Sequence, residues 1–139
     1  NQHIYDLVSR WCELNEFLKI DLGGRFNSWA GWKTVDLKDS DVVADLDEKW
    51  PFEDNSVGAI KAWDILEHLK DKQHAMSEIH RVLVPGGWLL LRVPSTDGRG
   101  AFQDPTHISY WNQNSFLYYT RKEQAQYIDN DKIRFQVFN

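Results

Sequence analysis

Apolar residues recur at two different periods along this chain, and the alternation between those periods sets out its elements. From Ile4 to Phe17, Ile4, Leu7, Val8, Trp11, Cys12 and Leu14 return every three to four positions, which predicts an amphipathic helix. Five short apolar runs of strand length follow. They are Phe17–Leu22, Trp32–Leu37, Asp41–Leu46, Val57–Trp63 and the continuous run Trp88–Val93, which reads as a buried strand. Between the last two lies a second helical period over Asp71–Val84, with Ala75, Met76, Ile79, Val82 and Leu83 on one face. Pro85-Gly86-Gly87 ends it.

Punctuation residues divide these runs. Gly23-Gly24 closes the first strand, and Trp50-Pro51-Phe52-Glu53-Asp54-Asn55-Ser56 is a loop. Only Arg25 to Trp32 separates the first two strands, too little for a full crossover helix. Pro94 to Pro105 is a long polar loop, a kind often functional in compact domains. Asn112 is placed to cap a short helix through Tyr119, and Ile133–Phe138 alternates like a final strand. The expected fold is α/β: a Rossmann-like three-layer sandwich around a mainly parallel sheet, in one domain over residues 1–139.

The strands end on acidic residues. Asp36, Asp45 and Asp64 close three successive runs, and strand ends of this kind line the ligand crevice of open α/β sheets. Three such ends in order carry more weight than any one, since a lone terminal aspartate is commonly just solvated. The Gly-x-Gly-x-x-Gly fingerprint of a dinucleotide fold is absent.

Composition narrows the picture only a little. The formal net charge of −5 argues mildly against a nucleic-acid backbone as the main partner. No apolar run approaches the roughly 20 residues that span a bilayer, and no signal peptide is visible. Cys12 is the single cysteine, which suggests a reducing compartment such as the cytoplasm. Seven tryptophans are many for 139 residues; most are expected in packing, with one or two walling a pocket.

Taken in order, these segments resemble a class I S-adenosylmethionine-dependent methyltransferase, in the small type 11-like subgroup. The resemblance rests on Leu18-Lys19-Ile20-Asp21-Leu22-Gly23, Gly31-Trp32-Lys33-Thr34-Val35-Asp36 and Ala44-Asp45-Leu46. It continues through Trp50–Val57, Ile65-Leu66-Glu67-His68-Leu69, Ile79–Gly87, Phe102–His107 and Asn114-Ser115-Phe116. It covers about Phe17 to Tyr119. It implies S-adenosylmethionine as cofactor, with contacts from Asp21, Gly23 and Gly24 at the first strand end. It implies Asp36 at the ribose, Asp45 and Leu46 at the adenine, and Asp64 near the amino group or sulfonium.

The acceptor side is expected around His68 and His107, the candidates for a general base, because imidazole titrates near neutrality. A structural hydrogen bond is the plain alternative for each. His68, His74 and His80 recur every six residues, about 240° apart on a helix, so they cannot share a face and no metal site is expected there. Trp63, Tyr110 and Trp111 are candidates for contact with the cation or an acceptor ring, and the loop from Pro94 to His107 for a lid.

Two departures stand out. The family turn is commonly Gly-x-Gly, whereas this chain reads Gly23-Gly24-Arg25. The family sheet also closes with a two-stranded hairpin, so the last strand is expected to be missing from this sequence. The expected activity is methyl transfer to a small-molecule or glycan acceptor. The alternatives are a non-catalytic S-adenosylmethionine-binding or scaffold protein, or another Rossmann-type enzyme such as a nicotinamide-dependent oxidoreductase.

Overall fold

The five apolar runs become five parallel strands of one sheet in the computed structural model, which describes residues 1–130 and 132–138. The strands are β1 (Leu18–Leu22), β2 (Lys33–Asp36), β3 (Val42–Val43), β4 (Val57–Trp63) and β5 (Leu83–Arg92), in the spatial order β3-β2-β1-β4-β5. The chain runs outward from β1 to β3, then crosses back to lay β4 on the other side of β1. This is the strand order whose switch point, between β1 and β4, opens a crevice at the carboxyl ends.

Period-2 alternation sends successive side chains of each strand to opposite faces. Ile20, Leu22, Val35, Ile60 and Ala62 share one face with Ala75, Met76, Ile79 and Val82 of helix α2 (Lys72–Val82). Burying each of those larger α2 side chains stabilises the fold by about 1.5–3 kcal/mol. On the other face Ala59 and Leu90 meet Val8 and Cys12 of helix α1 (Gln2–Leu14). Helices therefore cover both faces, as expected. The Asp71 side chain caps α2 by accepting from the His74 backbone N–H at 3.0 Å.

Both short connections in the first half have a physical explanation. β3 pairs only Val42 with Val35 and Val43 with Asp36, so the chain need reverse by little more than one residue. Asp41 Oδ2 accepts from the Thr34 N–H at 3.0 Å and from its hydroxyl, and Ser40 Oγ donates to the Val42 carbonyl, which together pin the return. The connection Gly23–Trp32 replaces a helix with aromatic mass. Trp29 packs edge-on against Trp32 and Trp63, and Tyr5 of α1 joins them.

Five expectations are corrected. The second helix stops at Val82 rather than Val84, and Pro85-Gly86-Gly87 lies within β5 at an irregularity of the β4–β5 register. The first helix ends at Leu14 rather than Phe17, because Glu16 takes a left-handed turn (φ 57°) that redirects the chain into β1. The third strand is only Val42–Val43, not Asp41–Leu46. β5 is the sheet edge among the described residues, and of Trp88–Val93 only Leu90 is fully buried, since β4 flanks one side alone. Residues 133–138 form no strand. Ile133 enters the core, the Phe135 N–H reaches the Tyr119 carbonyl at 2.9 Å, and Phe138 lies edge-on to Trp88.

Candidate functional site

The turn after β1 is built by two glycines with different duties. Gly23 has φ +69°, a conformation costly for a side chain. Gly24 lies against the Asp21 carboxylate, where an added Cβ would stand 2.7 Å from Oδ1. Asp21 itself is buried and bonded to Lys61 Nζ at 2.8 Å, opposite it in the β1–β4 ladder. Lys61 also donates to the Asn27 carbonyl at 3.0 Å and lies 4.8 Å from the ring centroids of both Trp29 and Trp63. Burial, the dominant influence, holds the Asp21 carboxyl above its ordinary value, with Lys61 acting in the opposite direction. Asp21 thus supports the turn from beneath. Arg25 points toward Asp39, at 3.5 Å, with its guanidinium over Phe26.

The other acidic strand ends line the same edge of the sheet. Asp36 closes β2 half-buried, and its carboxylate accepts from the Leu37 N–H at 2.7 Å. Asp45 is exposed and accepts from the Asp47 N–H at 2.9 Å. The Leu46 side chain is in the core, while its carbonyl accepts from Trp50 Nε1 at 3.0 Å. Asp64, just past β4, adopts φ 53°, and its carboxylate pairs with Arg92 of β5. Its N–H bonds the Arg92 carbonyl at 2.8 Å. The side chain of Ile65 packs against the Gly23 turn, which brings the ends of β1 and β4 into contact.

Beyond Ile65 the chain makes a 3-10 turn, Leu66–His68, and the loop after β5 folds onto it. The Ile108 and Ser109 N–H groups donate to the Glu67 carbonyl at 2.8 and 3.0 Å, and Ser109 Oγ donates to the Leu66 carbonyl. These bonds bring His107 beside His68, with ring centroids 5.0 Å apart at 77°. Glu67 is buried between them, its Oε1 at 4.0 Å from His68 Nε2 and 3.8 Å from His107 Nε2. Burial pushes the Glu67 carboxyl up; the two histidines oppose this and Asp64 adds to it. The spacing of His68, His74 and His80 gave no expectation of a metal site; the fold instead brings His68 together with His107, 39 positions further along, and with Glu67, a lone glutamate in a turn that the sequence did not mark as a site residue.

The aromatic candidates divide. Trp63 belongs to the packing under α1, and Trp111 is a core residue stacked on Phe116. Tyr110 is exposed, stacked on Phe102, and its hydroxyl donates to the His107 carbonyl at 3.2 Å. The loop from Pro94 carries a one-turn helix, α3 (Gly100–Gln103), and is tied down where the Thr96 N–H reaches the Trp111 carbonyl at 2.8 Å. Asn112 caps the following 3-10 turn, Gln113–Phe116, as expected.

The segment Trp50–Asp54 is fixed by α2. Glu78 accepts from the Trp50 N–H at 2.8 Å and from Arg81 through both carboxylate oxygens, and Arg81 reaches on to the Phe52 carbonyl and Asp54.

No curated protein and no solved structure shows significant similarity to the chain. A family profile described as a methyltransferase domain matches residues 5–91, from α1 to β5. That span holds the parallel sheet except its last residue, Arg92, together with the Gly23-Gly24 turn and the acidic strand ends. By this match and this strand order, the chain belongs to the class I S-adenosylmethionine-dependent methyltransferase family.

Proposed function

We propose that this protein transfers the methyl group of S-adenosylmethionine to a small-molecule or glycan acceptor, with the cofactor held across the carboxyl ends of β1–β4. The observation that carries the reading is the alignment of the Gly23-Gly24 turn, Asp36, Asp45 and Asp64 along one edge of a sheet with its switch point at β1 and β4. The turn leaves backbone close to the methionine portion. Asp36 accepts from the ribose hydroxyls, the Asp45-Leu46 backbone borders the adenine, and Asp64 faces the positively charged end. Asp21 acts indirectly by holding the turn through Lys61.

Methyl transfer is an in-line displacement at a carbon that the sulfonium already activates, so the protein chiefly supplies approach and orientation. On the acceptor side we assign His68 and His107. Each bonds a backbone carbonyl through Nδ1, which leaves Nε2 as the ring nitrogen placed to take a proton from an acceptor O–H or N–H. The loop between Pro94 and His107, with Tyr110, walls that side. The net charge of −5 favours an uncharged or cationic acceptor over nucleic acid. Cys12 is buried and its thiol pushed up to about 11, a packing residue in keeping with a cytoplasmic protein.

Calorimetric and thermal-shift titration with S-adenosylmethionine, its demethylated product and NAD tests the reading. Ligand at 100 times its dissociation constant stabilises the native state by about 2.7 kcal/mol. A melting-temperature rise with S-adenosylmethionine and none with NAD is expected. No rise at millimolar cofactor would remove the proposal.

A further inference from the structure

The Glu67–His68–His107 cluster brings three metal-ligating groups together around one buried carboxylate. His68 Nδ1 lies 3.1 Å from the Thr106 carbonyl, and His107 Nδ1 lies 3.0 Å from the Ala101 carbonyl. A carbonyl can only accept, so each Nδ1 carries a proton, and Nε2 is the nitrogen that each ring turns toward the carboxylate. Both Nε2 atoms approach Glu67 Oε1, at 4.0 and 3.8 Å, beyond hydrogen-bond reach. The three atoms lie within 4.8 Å of one another. The second carboxylate oxygen, Glu67 Oε2, is buried without a hydrogen-bond partner among the described residues. A buried carboxylate in that state is costly unless a positive charge accompanies it.

We propose that Glu67, His68 and His107 form a binding site for one divalent first-row transition-metal ion of the zinc class. Two imidazoles and a carboxylate are the donor set of open zinc sites, in which three protein ligands leave a position for water or substrate. Backbone carbonyls on both Nδ1 atoms are the outer partners that ligating histidines ordinarily have, fixing tautomer and ring orientation. Ligands about 2.1 Å from a tetrahedral ion stand roughly 3.4 Å apart, so the two Glu67–histidine separations of 4.0 and 3.8 Å close with shifts of about half an ångström. Asp104 Oδ2, 3.6 Å from His107 Nε2, stands at the rim as a further oxygen. The His68 side chain is 33% exposed, which leaves the fourth position open to solvent.

The site stands apart from the methyl-transfer reading; its use in that reaction rests on it. An Nε2 that ligates the ion cannot take a proton, so in the loaded protein the imidazoles act through the metal. An acceptor hydroxyl bound in the open position releases its proton to solvent, because the ion lowers its pKa. The oxygen then forms a bond to the methyl carbon as the carbon–sulfur bond breaks, with its electron pair returning to sulfur. This narrows the acceptor class to molecules with a metal-binding hydroxyl oxygen.

The test is titration of chelator-treated, dialysed protein with Co(II) followed by Zn(II). One equivalent of Co(II) with the visible absorption of four- or five-coordination, displaced by Zn(II), is expected. His68→Ala, at a partly exposed position, should weaken binding by more than the 10–100-fold that loss of an outer partner costs. The near-isosteric Glu67→Gln should weaken it too, and His3→Ala on the exposed side of α1 should leave it unchanged. Circular dichroism of each variant checks the fold. Substoichiometric binding, an octahedral aqua spectrum, or full affinity in both cluster variants would overturn the site. So would a pH titration by NMR in which both imidazoles and Glu67 share protons and none responds to Zn(II). Calorimetry with S-adenosylmethionine on the metal-free protein separates failure of the metal site from failure of the methyltransferase reading.

Discussion

Lys61 Nζ stands 2.8 Å from Asp21 Oδ2 on the α1 side of the sheet, and both side chains are almost wholly buried. The pair joins adjacent strands directly beneath the Gly23-Gly24 turn, under a roof of Tyr5, Trp29 and Trp63. It fills space that a crossover helix would otherwise cover, and it holds the turn on which the proposed cofactor site depends.

Breaking that pair from one side leaves a buried charge. Lys61→Met should cost about 3–5 kcal/mol in denaturant unfolding at neutral pH, and Asp21→Asn added to it should recover much of the loss. The Asp21 carboxyl is raised in the folded state, so its contribution is largest below the ordinary value of 3.8 and falls as pH rises through the folded value. Lys61→Met should therefore lose less stability in acid than at neutral pH. Equal losses at both would show that the carboxylate is not the cause.

Gly24→Ala places a Cβ against a carboxylate that Lys61 keeps from swinging away. A destabilisation of about 1–3 kcal/mol is expected from overpacking. Cofactor affinity should fall with it, measured by calorimetry at a temperature where the variant is folded. An unchanged affinity would separate the turn from the ligand.

Asp36→Ala tests the ribose contact. The Asp36 carboxylate accepts only the neighbouring Leu37 N–H among the described side-chain bonds, so stability should change little. Losing charged hydrogen bonds to two hydroxyls should weaken S-adenosylmethionine binding by roughly 1.5–3 kcal/mol. Affinity within twofold of the unaltered protein would assign the ribose elsewhere.

Acid sensitivity should concentrate at Glu78. Its bond to Arg81, followed by the Trp50 N–H, holds its carboxyl below the ordinary 4.5 despite burial. A lowered folded value stabilises above the unfolded one and is lost as pH falls through the folded one. Glu78→Gln should be less stable than the parent at pH 7, and the gap should narrow toward pH 3. The Trp50–Asp54 segment should become the first to exchange its amide hydrogens, because Arg81 and Glu78 are what fasten it.

His107→Ala separates acceptor chemistry from cofactor binding. In metal-free protein, turnover should fall by at least the roughly 100-fold that a positioned proton-transfer group contributes, with S-adenosylmethionine affinity nearly unchanged. Loss of both together would place His107 in the cofactor shell, and unchanged turnover would leave His68 as the acceptor-side group.

The sequence by itself determined the local and the ordered features. Strand runs with acidic ends, the α2 face and the Gly23-Gly24 turn were legible because period and punctuation are local properties of a chain, whereas Pro85-Gly86-Gly87 proved to be an irregularity within β5 and not the stop of α2. Their order carried the family, since a profile reads succession along the chain rather than contact. Strand ends were less legible: the third run shrank to Val42–Val43 and the 133–138 alternation formed no strand, because pairing needs a neighbour that composition does not name.

Only the tertiary structure decided what the charged residues do. Asp21 and Lys61 are 40 positions apart and become partners solely through the β1–β4 register. Glu67 and His107 likewise meet because the loop after β5 closes on the 3-10 turn through the Glu67 carbonyl. Hydrophobic periodicity records which face of an element turns inward, whereas the meeting of two distant polar groups is set by strand order and loop closure. A buried carboxylate with two imidazoles beside it is thus invisible until the fold brings them together.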